Sequence, residues 1–439
     1  RPDWHRYQVN HGMNRRGALL GMAAVPVLRA TEVMAHAGTS PGSSSETRTI
    51  NVVKLGADPA GGVDAAPAFQ AAIDRLLQTG GVIYIPAGNY RIGKTLEWIN
   101  PGNSRMPGIL FRGDGQHSSV LRSMVRSGPL LRVRGSPLKG PVSTTFFWGG
   151  GICDLSLEGA AEGTGHDCLE LLGWWSGEIV NCQIVGFPRH GIRAITDLAL
   201  DPNPDFSASR LFVRAIRIER CGGWGFIDDG GVQGAPGWSW DRCDFALCGK
   251  GGAFVQSGGH SFVKCSFSAC GWQAENSPPA ARAYGLYFTG AATAACGHWV
   301  EGCEFDTNFT AHIGARFLST SSFINNRFIF NDRYRAGRLC PGRAVEIGSG
   351  DARAAILAVE FRQSFFRFDL GGQAIGFDWV NTANVRDIDI SGSVFSDNSG
   401  GTLKLIRYRL GGAHGQSQAF GYSIRDRELP SASGNERVR

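Results

Sequence analysis

A short pattern recurs down most of the chain. Asn181-Cys182-Gln183-Ile184 leads into His190-Gly191-Ile192, Ala215-Ile216-Arg217-Ile218 into Trp224-Gly225-Phe226, and Arg242-Cys243-Asp244-Phe245 into Gly252-Ala253-Phe254. Its first half returns at Lys264-Cys265-Ser266-Phe267, Gly302-Cys303-Glu304-Phe305, Asn325-Asn326-Arg327-Phe328 and Gln363-Ser364-Phe365. The shared apolar position is Ile184, Ile218, Phe245, Phe267, Phe305, Phe328 and Phe365, at spacings of 34, 27, 22, 38, 23 and 37 residues. A unit this short cannot bury its own apolar face, so it must stack on copies of itself. The shortest spacing is the bare coil, and the longer ones carry inserted loops.

Stacked coils bring like residues to about 4.8 Å, so the phenylalanines form an internal ladder that accounts for much of the chain's 26 Phe. The cysteines follow suit: Cys182, Cys243, Cys265 and Cys303 share one coil position, and Cys221, Cys248 and Cys270 another. A thiolate metal site is the alternative for Cys243/Cys248 and Cys265/Cys270, but the coil already sets that spacing and free Cys packs as a small hydrophobe. Glycine is abundant, 62 of 439 residues, which disfavours a helical bundle, and it lacks the strict third-residue period of collagen. Gly191, Gly225, Gly252 and Gly285 are expected at coil corners, where the chain changes direction.

The start of the repeating region has its own layout. Asn51 to Asp58 reads as a strand ending in a turn, Asp64 as the cap of a helix with Pro67 in its first turn, and Ala68, Phe69, Ala72, Ile73, Leu76 and Leu77 as its apolar face. Val82 to Ile85, Pro86-Ala87-Gly88 and Tyr90 to Ile92 read as strand, turn and strand. The order Gly56-Ala57-Asp58, Gln70-Ala71-Ala72-Ile73, Ile85-Pro86-Ala87-Gly88-Asn89-Tyr90 resembles the opening of the pectate lyase superfamily, in its rhamnogalacturonase/epimerase-like branch. The resemblance implies an all-β fold: a single-stranded right-handed parallel β-helix of about 9–11 coils, its open end covered by the helix, which shields a strand edge.

Four segments follow: an upstream extension with an export signal at 1–37, a linker at 38–48, the β-helix at 49–410 and a polar, loose tail at 411–439. Met13-Asn14-Arg15-Arg16 ahead of the apolar stretch Gly17 to Leu28, then Ala35-His36-Ala37, resembles a bacterial twin-arginine signal. It implies a periplasmic or secreted protein; the apolar stretch is too short to span a bilayer. Eleven cysteines, an odd number, leave at least one thiol unpaired. The net charge of +6 contains no block of like charges, which argues against a nucleic-acid partner. Only six of the 44 basic residues are lysine, and the arginine surplus suits carboxylate ligands. A single chain with its own cap is expected to be a monomer, and no sequence motif calls for a cofactor.

On a β-helix, function belongs to the outer face of one sheet. Alternation places His190, Arg193, Trp224, Asp229, Lys250, Gln256, Tyr284, Tyr287, His312, Arg316, Glu346 and Asp378 there. This mixture suits a polysaccharide, acidic or neutral; a merely solvated face is the plain alternative. Two chemistries are weighed. In β-elimination on a uronic acid, Arg316 neutralises the carboxylate while His312, Tyr287 or Lys250 exchange protons, with His190, Arg193, Trp224, Tyr284 and Glu346 binding substrate; Ca²⁺ is the alternative neutraliser. In hydrolysis, two carboxylates act at about 5–9.5 Å, and Asp228-Asp229 followed by Gly258-Gly259-His260 is similar to the polygalacturonase-like pattern, though His260 follows its strand. A non-catalytic binder or scaffold is the third reading. Loops at 271–297 and 331–343 are expected to wall the cleft.

Overall fold

In the computed structural model, the described residues are 48–102, 106–135, 146–159, 166–195, 208–229, 236–271, 282–289, 296–330, 343–347, 355–368, 373–380, 385–390, 392–397, 402–409 and 436–438. The upstream extension, almost all of the linker and most of both walling loops therefore lie outside the described residues. Among those described, three sheets of 21, 12 and 3 strands contain only parallel pairings between successive turns of the chain. This is the expected parallel β-helix. No described helix is long and apolar enough to cross a membrane.

The opening differs in one detail. Only Thr49–Asn51 is a strand; Val52–Leu55 is a 3₁₀ turn whose first free N–H, that of Val53, is met by the Asn51 side chain at 2.9 Å. Gly56 stops the turn in the left-handed region, at φ 95°. The helix spans Ala66–Leu76, and the Asp64 carboxylate accepts from the Ala66 N–H at 3.0 Å. Its buried face is Ala66, Ala68, Phe69, Ala72, Ile73 and Leu76. Gln70 does more than pack. Its amide donates to the Glu97 carbonyl and accepts from the Glu97 N–H, both at 2.9 Å. Glu97 lies on Leu96–Ile99, the end strand of the twelve-stranded sheet, so one side chain supplies the pairing that another strand would have made.

One row of bends with left-handed backbone runs through the 21-stranded sheet: Asp154, Asn181, Ala215, Arg242, Lys264, Gly302, Asn325 and Gln363, at φ 51–61°. Two residues before and three after each bend face inward. The inner row runs Leu157, Ile184, Ile218, Phe245, Phe267, Phe305, Phe328 and Phe366. The last member corrects the expected Phe365, which pairs with Arg327 and is only half-buried; two adjacent phenylalanines hid the register, and Gln363 at the bend fixes it. From Phe245 to Phe366 successive rings are 4.5–5.0 Å apart and within 8° of parallel. The cysteine rows are inside too. Cys182, Cys243, Cys265 and Cys303 are buried and point their thiols at backbone carbonyls of the preceding coil, 3.4–3.5 Å away. None of the ten described cysteines is in a disulfide.

Of the four glycines expected at corners, Gly191 lies at a bend ahead of its strand, but Gly225, Gly252 and Gly285 lie within strands. None has positive φ. A Cβ on Gly252 would sit 2.5 Å from the Gly285 carbonyl oxygen and 2.6 Å from the Phe267 ring, and Gly225 is similarly placed against Gly252 and Phe245. These glycines form an inward row that makes room for the aromatic ladder. Of the tail, Glu436–Val438 pairs with Thr402–Arg409, and the rest lies outside the described residues.

Candidate functional site on the outer face of the twelve-stranded sheet

The outward row of the twelve-stranded sheet, read from the capped end, is Glu97, Arg132, Glu170, Arg193, Ile227, Phe254, Tyr287, Gly314 and Glu346. A second row holds Trp224, Gly251, Tyr284 and Ala311. Two glycines decide what lies on this face. A Cβ on Gly251 would overlap the Trp224 ring, and one on Gly314 would stand 2.6 Å from the rings of both Tyr284 and Tyr287. The aromatic rings therefore lie over the strands, with Trp224–Phe254 at 5.2 Å, Phe254–Tyr287 at 5.6 Å and Tyr284–Tyr287 at 4.7 Å. Trp224, Tyr284 and Ala311, with Ile227, Phe254 and Tyr287, form an apolar cluster separate from the main core. Ile227, Phe254 and Tyr287 are its half-exposed members.

Charged groups close both ends. Toward the cap, Arg193 binds Asp229 through two nitrogens at 2.5 and 3.0 Å, with Asp167 and Glu170 within 3.9 Å. Burial holds the Asp167 carboxyl above the usual carboxylate range despite Arg189 and Arg193 beside it. His190 is buried; its N–H donates to Asp167 at 3.0 Å and its Nδ1 accepts from the Trp224 N–H at 3.0 Å. Burial, and then Arg189, Arg193 and Lys250, lower its pKa to about 4, so at neutral pH the ring is uncharged and its proton is on Nε2. Lys250, exposed, precedes the strand Gly251–Val255. At the other end, buried Glu346 accepts from the Tyr284 hydroxyl at 2.9 Å and from Arg343 at 2.5 Å. Burial and Glu346 hold the Tyr284 phenol far above its ordinary pKa, which makes it a donor.

The face thus brings together His190, Arg193, Trp224, Asp229, Lys250, Tyr284, Tyr287 and Glu346. Two of the expected catalytic residues, His312 and Asp228, are inside. His312 stands between Ala311 and Ile313, which pair with Tyr284 and Leu286, so it lies opposite Gly285 at the place where earlier coils carry glycine. Its ring is fully buried, 3.9 Å from Phe330 and hydrogen-bonded to Asn308 at 3.0 Å, and burial lowers its pKa to about 3. Asp228 is also fully buried, accepting from the Gln256 and Ser257 N–H groups and the Ser257 hydroxyl. Alternation along Trp224–Asp229 puts only Asp229 outside, so the acidic doublet is not a surface pair. His260 is internal as well, hydrogen-bonded to Ser257 at 3.1 Å. Arg316 stands past Ala315, the last paired residue of its strand, with its guanidinium 5.2 Å from the Phe317 ring centre. Sequence reasoning missed Asp167, Glu170, Ile227, Phe254 and Arg343; the usable signal was a glycine in register beside an aromatic residue. Among the described residues no three His, Cys, Asp or Glu side chains converge on a metal position, and none is assigned to Ca²⁺.

Residues 49–148 match the family model "Rhamnogalacturonase A/epimerase, pectate lyase-like". That stretch is similar to the pectate lyase-like family. It holds the cap and the first coils and ends before the aromatic pavement. Over 166 residues the chain is 30% identical to mannuronan C5-epimerase AlgE1 and 28% identical to AlgE3, both from Azotobacter vinelandii; the match takes in 36% of this chain but 11% and 8% of those proteins. The fold is similar to that of a tailspike protein of E. coli bacteriophage HK620 solved with a pentasaccharide, at TM-score 0.53 and 11% identity, over 89% of this chain and 78% of that one.

Proposed function

We propose that the protein is a carbohydrate-active enzyme that lays a uronic-acid-containing polysaccharide across the outer face of the twelve-stranded sheet and removes the C5 proton of one uronate. The observation that carries this reading is the aromatic pavement bounded by Arg193 and Lys250 on one side and Glu346 and Arg343 on the other. Aromatic faces take pyranose rings, and the cations hold a carboxylate whose charge must be masked before C5 can lose its proton. Lys250 and Tyr287 are the accessible proton-exchanging groups, and neutral His190 offers an Nε2–H to the substrate. Loss of the proton opens two outcomes. β-Elimination expels the 4-linked oxygen, and reprotonation from the opposite side inverts C5. The two mannuronan C5-epimerase relatives favour testing the second beside the first.

Hydrolysis by the expected carboxylates is disfavoured by geometry. Asp228 is internal, and Asp229 and Glu346 lie four coils apart, roughly 19 Å at the spacing of a parallel sheet, against the about 5–9.5 Å that glycosidases use. The test is to incubate the protein with mannuronan and with polygalacturonate in deuterated water. Deuterium at C5 with intact chains indicates epimerisation, ultraviolet absorbance of an unsaturated uronate with new reducing ends indicates elimination, and reducing ends alone indicate hydrolysis. Absence of all three on both polymers overturns the enzymatic reading and leaves a binder. We further infer, from the twin-arginine-like segment, that the protein works outside the cytoplasm; retention of a chromosomally tagged chain in the cytoplasmic fraction would refute it.

A further inference from the structure

The outer face of the 21-stranded sheet carries a feature that the proposed site does not use. One of its rows reads Glu178, Phe212, Ser239, Ser261, Trp299, Ser322. Phe212 and Trp299 are 39% and 41% exposed, which is far more than any ring of the pavement described above that is counted in the core. They are three coils apart, roughly 14 Å by strand spacing. Between them lie two serines, with the Ser261 hydroxyl donating to that of Ser239 at 3.2 Å. The polar edge of Trp299 is already occupied, since its indole N–H donates to Glu301 at 2.9 Å, so what the ring offers to solvent is apolar surface. The Arg214 guanidinium sits 5.7 Å over the Phe212 ring. Beside Phe212 opens a recess of about 660 Å³ whose lining includes Arg210, Glu178 and the glycines Gly150 and Gly177.

We propose that this strip is a second glycan-binding site, separate from the reacting face, that holds a distant segment of a hexopyranose chain. Two exposed rings joined by a floor of hydroxyls match the alternation of apolar faces and hydroxyl edges along such a chain. Arg210 and Arg214 at one end suit a carboxylate-bearing residue. A second protein copy is a poorer occupant. A stable dimer buries about 800 Å² per partner around a packed apolar centre, and here the two rings are separated by polar residues. The inference rests on the polysaccharide reading of the function but not on the reaction.

The test compares native protein with Phe212→Ala/Trp299→Ala and with Phe254→Ala/Tyr287→Ala by affinity electrophoresis in gels cast with mannuronan or polygalacturonate, alongside turnover of short uronate oligosaccharides. The first double variant should lose affinity for at least one polymer by about tenfold, the scale of removing central aromatic contacts, with turnover of the short substrates unchanged. Phe212→Tyr/Trp299→Phe should restore retention, which separates a lost contact from a lost fold. Unchanged migration of the alanine variant overturns the second site whatever the pavement variant does, and so does a native protein that neither polymer retards. A native protein that self-associates in sedimentation while the Phe212→Ala/Trp299→Ala variant does not also overturns it, in favour of a contact between copies. Loss of turnover only in Phe254→Ala/Tyr287→Ala bears on the reaction and leaves the strip standing.

Discussion

Two aromatic stacks run along the coil axis, one inside the strands and one outside. The inner stack is uniform: Phe245, Phe267, Phe305, Phe328 and Phe366 repeat at 4.5–5.0 Å with nearly parallel rings. The outer one is mixed in residue type and tilt, with Trp224, Phe254, Tyr287 and Tyr284 at 4.7–6.3 Å and interplanar angles from 27° to 54°. The inner stack needs only register and a glycine row to make room. The outer stack needs glycines at chosen places, Gly251 and Gly314, and polar anchors such as Tyr284 on Glu346. Repetition gives stability along the inside; departures from repetition give the outside its chemistry.

The largest expected effect lies within the inner stack. Phe305 is fully buried between Phe267 and Phe328, each 5.0 Å away. Phe305→Ala should cost about 3–5 kcal/mol of stability, read from denaturant unfolding. A shift in midpoint no greater than that of a surface substitution would break the claim that the ladder holds the coils. Gly252→Ala comes next. Its new methyl meets the backbone of the following coil at 2.5 Å, and overpacking of this kind costs about 1–3 kcal/mol. If the variant melts like the native protein, the glycine row is not what makes room for the ladder.

How far the two stacks could be read from the sequence follows from the same contrast. The inner ladder was legible because every coil repeats one position, and the cysteine rows and capping helix with it. Phe365 and Phe366 satisfy the pattern equally, and only the bend at Gln363 chooses Phe366. The outer face was legible where its residues are charged, as at Arg193 and Asp229. It was hidden where a strand is apolar on both sides: in Gly251–Val255 no alternation separates Phe254, outside, from Ala253 and Val255, inside, whereas the phenols of Tyr284 and Tyr287 gave their strand away. His312 was misplaced for a related reason. It occupies a glycine position, and a polar residue there reads as outward although the coil has no outward slot at that point.

A smaller effect is expected where the outer stack is anchored. Tyr284→Phe keeps the ring over Gly314 but removes the donor to buried Glu346, an uncompensated loss of about 1–3 kcal/mol. Both the melting temperature and turnover should fall. Phe254→Ala, on a half-exposed ring, should leave stability almost intact and weaken substrate by about tenfold, the equivalent of about 1.4 kcal/mol. KM should carry that change. A loss of stability with unchanged KM would mean that the outer stack is only a second core.

The smallest effect separates the two sides by pH. His190, outside, has its pKa lowered to about 4, and His312, inside, to about 3, against an ordinary value near 6.5; burial is the first cause of each shift. The unfolded chain therefore takes up a proton at each as the pH falls through about 6.5, while the folded chain does not until about 4 or about 3. Stability contributed by the neutral rings is fully present above about pH 6.5 and is lost as the pH falls toward each folded value. Below about pH 4, His190 adds no further slope, whereas His312 still does. Melting curves from pH 7 to pH 3 should thus show His190→Gln flattening the decline only in the upper part of the range and His312→Gln flattening it throughout, when each is compared with the native protein so that common carboxylate titrations cancel. Identical flattening by the two variants would place both rings in the same environment and remove the distinction between an internal histidine that fills a glycine's place and an outer one held among cations.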